Sequence, residues 1–205
     1  MRIIGISDTH GRHRQVEVPE GDLLIHAGDV SNGSEREVAD FLEWFAAHAH
    51  RHKVFLAGNM DYAIAHKAGS LLRDLPAHVH YLENESIELE GLRCWGSPFV
   101  PNFVGVFNLP RGKALRKVWA GIPEHVDILI THTPPFGILD TTSLGRSVGC
   151  EELRKRLKSL SPRLHLFGHV HESYGQLELD GTMYVNASLP GAGPGRFNKP
   201  WVVDL

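Results

Sequence analysis

The stretch Asp22-Leu23-Leu24-Ile25-His26-Ala27-Gly28-Asp29 is a run of β-forming residues that stops at a glycine followed by a carboxylate. A continuous apolar run of this length has the pattern of a strand buried on both faces. The same design recurs along the chain. Ile6-Ser7-Asp8 continues into Thr9-His10, Leu56-Ala57 into Gly58-Asn59, Leu129-Ile130-Thr131 into His132, and Leu166-Phe167 into Gly168-His169-Val170-His171. A lone Asp-x-His or His-x-His pair carries little information. Here carboxylate, imidazole and amide donors from distant parts of the chain each stand where a strand ends, and glycine before three of them lets the backbone bend closely past an ion. Such an inventory of hard and borderline donors is that of a two-metal site for phosphoester hydrolysis.

Strands are expected at Arg2–Ser7, Asp22–Ala27, Lys53–Ala57, Asp127–Thr131, Arg163–Phe167 and Met183–Ala187. Between them lie helical patterns. In Ser34–His50 the residues Val38, Phe41, Leu42, Phe45 and Ala49 line one face and Ser34 is placed to cap the first turn, while Ala63–Leu75 and Cys150–Leu160 make two more helices. Alternating Ile87-Glu88-Leu89 before Gly91 predicts a hairpin in Ser86–Gly96, and Asp180-Gly181 predicts a second in Tyr174–Asn186. The expected class is α/β, a four-layer α/β/β/α sandwich of two facing mixed sheets with helices outside. Two Pro/Gly-rich segments, Ser97–Gly112 with Phe99, Phe103 and Phe107, and Thr133–Gly149, adjoin the donor-bearing strand ends. They read either as substrate-shaping loops or as plain surface loops. The three phenylalanines are open to three readings: stacking on a nucleobase, an apolar lid, or a dimer contact.

At 205 residues the chain has the length of one domain, expected to span 1–205. Apolar residues at 42% and charged residues at 22% are ordinary for a globular protein. With Lys plus Arg at 21 against 24 Asp plus Glu, the net charge is −3, which offers no basic face for long nucleic acid and favours a small substrate. Cys94 and Cys150 lack paired spacing; Cys94 reads as packed and Cys150 as the start of a helix. Met1-Arg2 runs at once into Ile3-Ile4-Gly5-Ile6, leaving no room for a signal segment, and no apolar run approaches the roughly 18 residues of a membrane span. A reducing cytoplasm is the expected location, with no membrane partner and with either a monomer or a homodimer open. Asn186-Ala187-Ser188 matches a glycosylation sequon, a reading that the missing signal argues against.

The ordered set resembles the calcineurin-like metallophosphoesterase family, whose pattern is D-x-H, G-D, G-N-H-(D/E), a later H and G-H-x-H. The resemblance extends over residues 2–205 and looks closest to small metallophosphoesterase-domain-containing phosphodiesterases through Asp22–Asp29, Val148-Gly149-Cys150-Glu151-Glu152-Leu153, Leu164–His169 and Tyr184–Ser188. By motif position it implies one metal held by Asp8, His10, Asp29 and His171, and a second held by Asp29, Asn59, His132 and His169. Two divalent ions about 3.5–4 Å apart would need an anionic bridge against their repulsion, for which Asp29 and a hydroxide are the expected candidates, and metal-activated water would be the expected nucleophile for in-line attack on phosphorus. Mixed nitrogen and oxygen ligation suits Mn, Fe, Zn or Co, with Mn favoured.

The chain departs from the pattern at Met60, where the family has His. A thioether neither donates a proton to a leaving oxygen nor stabilises phosphate charge. Weak turnover of alkyl phosphates and a preference for diesters with acidic leaving groups are therefore expected, with His66, His13 or a loop residue as substitute acids, unless Met60 merely packs over the site. Catalytic support is expected from Asp29 and Asn59, from Asp61 as a carboxylate that orients an imidazole, and from His26, which reads as a supporting or core residue more than a ligand. Arg12, His13 and Arg146 are candidate substrate contacts. The competing functions are a phosphomonoesterase of the same fold and a binding or scaffold protein that keeps the metal site.

Overall fold

The computed structural model describes residues 1–191 and 195–205. In the first sheet β1 (Arg2–Ile6), β2 (Leu23–Ala27), β3 (His52–Leu56) and β4 (Val79–Tyr81) run parallel, and the C-terminal strand β13 (Trp201–Asp204) pairs antiparallel with β1, giving the order β13-β1-β2-β3-β4. In the second sheet β6 (Leu92–Ser97), β9 (Ile128–Thr131), β10 (Leu164–Phe167) and β12 (Thr182–Asn186) are parallel. Antiparallel edges β5 (Glu85–Leu89) and β11 (Gly175–Leu179) complete the order β11-β12-β10-β9-β6-β5. Short β7 (Val100–Pro101) and β8 (Asn108–Leu109) form a separate pair.

Three apolar cores separate four layers. The period-two alternation of strand side chains sends Ile3, Leu23, Ile25, Val54 and Leu56 of the first sheet against Ile128, Ile130, Leu164, Leu166 and Val185 of the second. The alternate residues Ile4, Ile6, Leu24 and Phe55 face outward onto Val38, Phe41 and Phe45 of α1 (Glu35–Ala47) and Ile64 of α2 (Tyr62–Leu71). On the far side Trp95, Leu129, Phe167 and Tyr184 meet Leu115 and Trp119 of α3 (Lys113–Trp119) and Leu153 and Leu157 of α4 (Glu151–Leu157). Each such fully buried side chain contributes about 1.5–3 kcal/mol. The expected α/β/β/α sandwich is the observed architecture.

Local chemistry accounts for several boundaries. Ser34 Oγ accepts from Glu37 N at 3.2 Å and opens α1, with Glu35 and Glu37 in the positive first turn. Asp180 and Gly181 both have left-handed φ, 53° and 77°, the conformation that a two-residue hairpin turn requires. The helices end earlier than periodicity predicts: α1 stops at Ala47 because His48 is already extended, α2 stops at Leu71, and α4 at Leu157. Among the described residues, five strands and α-helices lie where none is expected from sequence. They are β4, β13, α3 and the β7–β8 pair inside Ser97–Gly112.

Candidate metal centre

Because the interior strands of each sheet run parallel, their C-terminal ends gather on one rim, and packing the sheets face to face brings the two rims together. Asp8 follows β1, Asp29 follows β2, Asn59 follows β3, His132 follows β9 and His169 follows β10. Backbone bonds lock the turns to one another: Asp8 N donates to Gly28 O at 2.9 Å, His10 N to Asp29 O at 3.0 Å, and Gly168 N to His132 O at 3.1 Å. The sheets are also joined by a Ser7–Ser188 bridge.

Four of the donor residues occupy the left-handed region: Asp8, His10, Asp29 and His169 have φ of 60°, 46°, 54° and 70°. Each such residue costs on the order of 1 kcal/mol or more, and strain of this kind persists where surrounding structure over-determines it, commonly at functional sites. At Gly58 the need is for close approach. A Cβ there would lie 2.3 Å from Asp29 Oδ1 and 2.7 Å from His132 Cε1, so no larger residue fits between the carboxylate and the imidazole.

Two groups of donors converge, Asp8 with His10 and His171, and Asp8 with Asp29 and His132; within each the ligand atoms lie within 4.8 Å of one another. The groups adjoin through Asp29, whose Oδ2 is 3.7 Å from His10 Nε2 and 3.5 Å from His132 Nε2. His171 Nε2 lies 3.5 Å from both Asp8 Oδ1 and His10 Nε2. Asn59 Oδ1 is 3.1 Å from His132 Nε2, and the His169 ring stands 5.0 Å from that of His132, centroid to centroid. Five of the seven residues expected from sequence thus fall in these two groups, which share Asp8, and Asn59 and His169 stand beside His132.

The donor chemistry fits cations. His132 Nδ1 lies 2.9 Å from Ala27 O; a carbonyl only accepts, so Nδ1 carries the hydrogen and the lone pair sits on Nε2. Asn59 spends its Nδ2 hydrogen on Val104 O at 3.0 Å, which turns Oδ1 toward that same Nε2. Two lone pairs facing each other at 3.1 Å repel unless a proton or a cation lies between them. Among the side chains alone the proton takes that place. Burial opposes the charged imidazole, but Asp29 and Asp8 outweigh it and push His132 up to about 9. Burial likewise opposes ionised Asp8 and Asp29, yet His171 beside Asp8 and His132 beside Asp29 hold both carboxyls below their ordinary range. Burial pushes His169 down to about 4, leaving a neutral, ligand-ready ring.

Asp61 is a fully buried brace. Its carboxylate accepts from Gly58 N and Ser31 N at 2.8 Å, Ser31 Oγ at 2.8 Å and Val30 N at 3.1 Å, tying the Gly28-Asp29 turn to the Gly58-Asn59 turn. Burial and the nearby Asp29 charge push it up to about 7. It touches the turns and no imidazole, unlike the role expected from sequence. Met60 N donates to Asp29 Oδ1 at 2.8 Å, so the backbone at that position supports the shared carboxylate.

Other expected site residues lie elsewhere. His26 faces the helix layer, bonded through Nε2 to Thr9 Oγ1 at 2.9 Å and packed on Phe41, and burial pushes it down to about 3; it belongs to neither donor group. His13 is buried beneath α1, its Nε2 2.8 Å from Asp40 Oδ2, which removes it from the phosphate contacts and from the substitute acids. Arg12 lies 4.6 Å over the Phe197 ring. Arg146 is exposed in the turn closed by the Thr141–Ser147 bridge. His66 is exposed on α2.

Two supports were not singled out from sequence. Ser188 Oγ donates to Asp8 Oδ2 at 2.7 Å, and Asn186 Nδ2 donates to Val170 O at 2.9 Å and Leu139 O at 3.1 Å, holding the His169–His171 loop. Asn186 is fully buried, so its sequon is closed to glycosylation in the folded chain. Their signal is the same as for the ligands, polar residues directly after an apolar strand, here Tyr184-Val185-Asn186-Ala187-Ser188.

Residues 1–173 match the family model described as calcineurin-like phosphoesterase. The human protein "Metallophosphoesterase domain-containing protein 1" is 39% identical over 230 residues, covering all of this chain and 71% of the relative. A UPF0046 protein of Caenorhabditis elegans is 34% identical over 202 residues, covering 92% of this chain and 69% of the relative. Among solved structures, TT1561 of Thermus thermophilus superposes with a TM-score of 0.66 at 16% identity, covering 90% of this chain and 88% of that one. Phosphopantetheinyl hydrolase from Mycobacterium tuberculosis gives 0.61 at 13% identity, covering 91% and 88%; likenesses at this identity are likenesses of fold. Among the described residues no helix is long and apolar enough to cross a membrane.

Proposed function

We propose that this chain, which belongs to the calcineurin-like phosphoesterase family, hydrolyses a small phosphodiester with two divalent ions held at the joined strand ends. Asp8, His10, Asp29 and His171 would hold one ion and Asp29, Asn59, His132 and His169 the other. The observation that carries this reading is the position of Asp29 Oδ2, 3.7 Å from an imidazole nitrogen of the first sheet and 3.5 Å from one of the second. An anionic oxygen so placed offsets the mutual repulsion of two cations. When bound, such ions withdraw charge from phosphoryl oxygens and acidify water for attack.

The protein's own part is positional. Ala27 O fixes the His132 tautomer, Val104 O aims the Asn59 amide, Ser188 holds Asp8, and Asp61 joins the two turns. Met60 has no proton to give, so the leaving group must supply its own acidity, which favours diesters with acidic leaving groups over alkyl esters. Manganese is the first choice among Mn, Fe, Zn and Co. A reducing, cytoplasmic setting accords with two buried free cysteines, and a net charge of −3 with a small substrate rather than long nucleic acid. The same Met60 supports the second reading, a binding protein that keeps the metals and little turnover.

The test is a panel of aryl phosphodiesters, aryl monophosphates and cyclic nucleotides, assayed with Mn, Zn, Fe, Co and chelator. Diester hydrolysis that chelator abolishes and metal restores is expected. Equal rates with every metal and with chelator would overturn the reading, and monoester turnover exceeding diester turnover would move it to a phosphatase.

A further inference from the structure

The segment between β7 and β8 leaves Phe103 and Val104 open to solvent, 64% and 65% exposed, at the rim of the metal centre. The Phe103 ring stands 5.1 Å from that of His169, the two planes at 85°. Phe107, in the same segment, and Phe99, just before β7, are partly buried and packed edge to face at 5.8 Å, Phe107 on the first sheet's helix core and Phe99 on the second's.

The segment is held firmly to the metal centre. Asn59 Nδ2 donates to Val104 O at 3.0 Å, and Val106 N returns a bond to Asn59 O at 2.8 Å. Asn108 closes the turn, its Oδ1 accepting from Phe103 N at 2.9 Å and its Nδ2 donating to Gly105 O at 2.7 Å and Val106 O at 3.0 Å. Gly105, at φ +101°, packs so tightly on Asn59 that a Cβ would come 1.9 Å from its carbonyl oxygen. The residue whose amide faces His132 thus also sets the place of an exposed phenyl ring.

An exposed ring contributes little to folding, since burial is what stabilises an aromatic side chain. Its surroundings at the rim, His169, Asn59 and the carboxylates beyond, are polar. Two apolar side chains also fall well short of the roughly 800 Å² per partner of a stable protein interface, which argues for a small occupant. We propose that Phe103 is a stacking platform for a planar aromatic substituent of the phosphoester, an aryl group or a nucleobase, and so determines substrate class. This inference rests on the phosphoesterase reading above and deepens it.

The test measures binding by calorimetry to the metal-loaded full chain, with two probes that share a phosphate and a sugar and differ in the base: adenosine 5′-monophosphate and ribose 5-phosphate. The parent should hold the nucleotide about tenfold tighter, a typical value of one stacked base. Phe103→Ala should remove that advantage and leave ribose 5-phosphate within twofold, with metal content unchanged; Phe103→Trp should restore it. With an aryl diester as substrate, KM should rise about tenfold in Phe103→Ala while kcat holds. If the parent binds both probes equally, or Phe103→Ala weakens both alike, the platform is overturned and the phosphoesterase reading stands. If the loaded parent binds neither probe, both fall together.

Discussion

His132 Nδ1 lies 2.9 Å from the Ala27 carbonyl oxygen, and that contact turns the other ring nitrogen toward Asn59 and Asp29. The nitrogen that would take a cation is the one that takes a proton in its place, with the imidazole lifted from 6.5 to about 9 by the carboxylates Asp29 and Asp8 against the opposing effect of burial. A raised pKa means that this charge stabilises the cation-free fold fully below about 6.5, and that the contribution is lost as pH climbs through about 9. A cation must displace that proton, so its affinity strengthens over the same interval. The gap in Tm between manganese-loaded and chelator-treated protein should therefore widen from pH 6.5 to pH 9. Thermal scans across that range check this, and a gap that narrows with pH would contradict it.

Asp61 joins two turns with one carboxylate, and the cost of removing it can be set against the cost of merely neutralising it. Asp61→Ala leaves the buried N–H groups of Val30, Ser31 and Gly58 without their acceptor. At about 1–3 kcal/mol per buried orphan, the loss should exceed about 3 kcal/mol in urea unfolding. Asp61→Asn keeps one accepting oxygen and should lose less than half of that. Equal losses in the two variants would mean that one remaining acceptor oxygen does not suffice at this position.

Ser188 Oγ donates to Asp8 Oδ2 across 2.7 Å, joining the segment after β12 to a carboxylate that reaches both donor groups. Partners that orient a ligand commonly change metal affinity by about 10–100-fold when removed. Ser188→Ala should weaken metal binding within that range in a competition titration against a chromophoric chelator. Its stability loss should stay near 1 kcal/mol, the net worth of one hydrogen bond. Unchanged affinity would reduce Ser188 to a packing residue.

The legible part of the fold is the part with long-range redundancy. Leu23–Ala27 and Ile128–Thr131 announce themselves because a strand covered on both faces must be apolar throughout, and the donors announce themselves by following such runs. The illegible elements depend on partners far along the chain. β13 has only Trp201–Asp204 and exists through its register with β1, Arg2 opposite Asp204, while α3 is seven residues beginning after a positive-φ glycine, too short for a periodic signal. His13 shows the same limit at the level of one side chain. It follows the Asp8-Thr9-His10 turn and reads as a loop residue, yet Asp40, Phe41 and Trp44 of α1 bury it. His26 has the opposite history: its place on β2 puts it on the helix-facing side with Leu24, two residues before the chain turns into Gly28-Asp29.

Met60 offers the sharpest functional prediction, because the backbone and the side chain at that position can be separated. The backbone N–H bonds Asp29 Oδ1 at 2.8 Å, a contact that any residue but proline preserves. The side chain is half-buried beside the centre and contributes no donor. Met60→His therefore adds an imidazole without disturbing the shared carboxylate. General acid assistance is worth about 10²–10⁴ in rate where a leaving group needs a proton, and little where it does not. Turnover of an alkyl phosphodiester should rise by at least tenfold in Met60→His, while that of an aryl diester with an acidic leaving group should change less than threefold. The rates of both substrates, measured at saturating metal, separate the outcomes. A uniform change would show that the substitution alters metal loading, and no change would show that proton donation already comes from another residue.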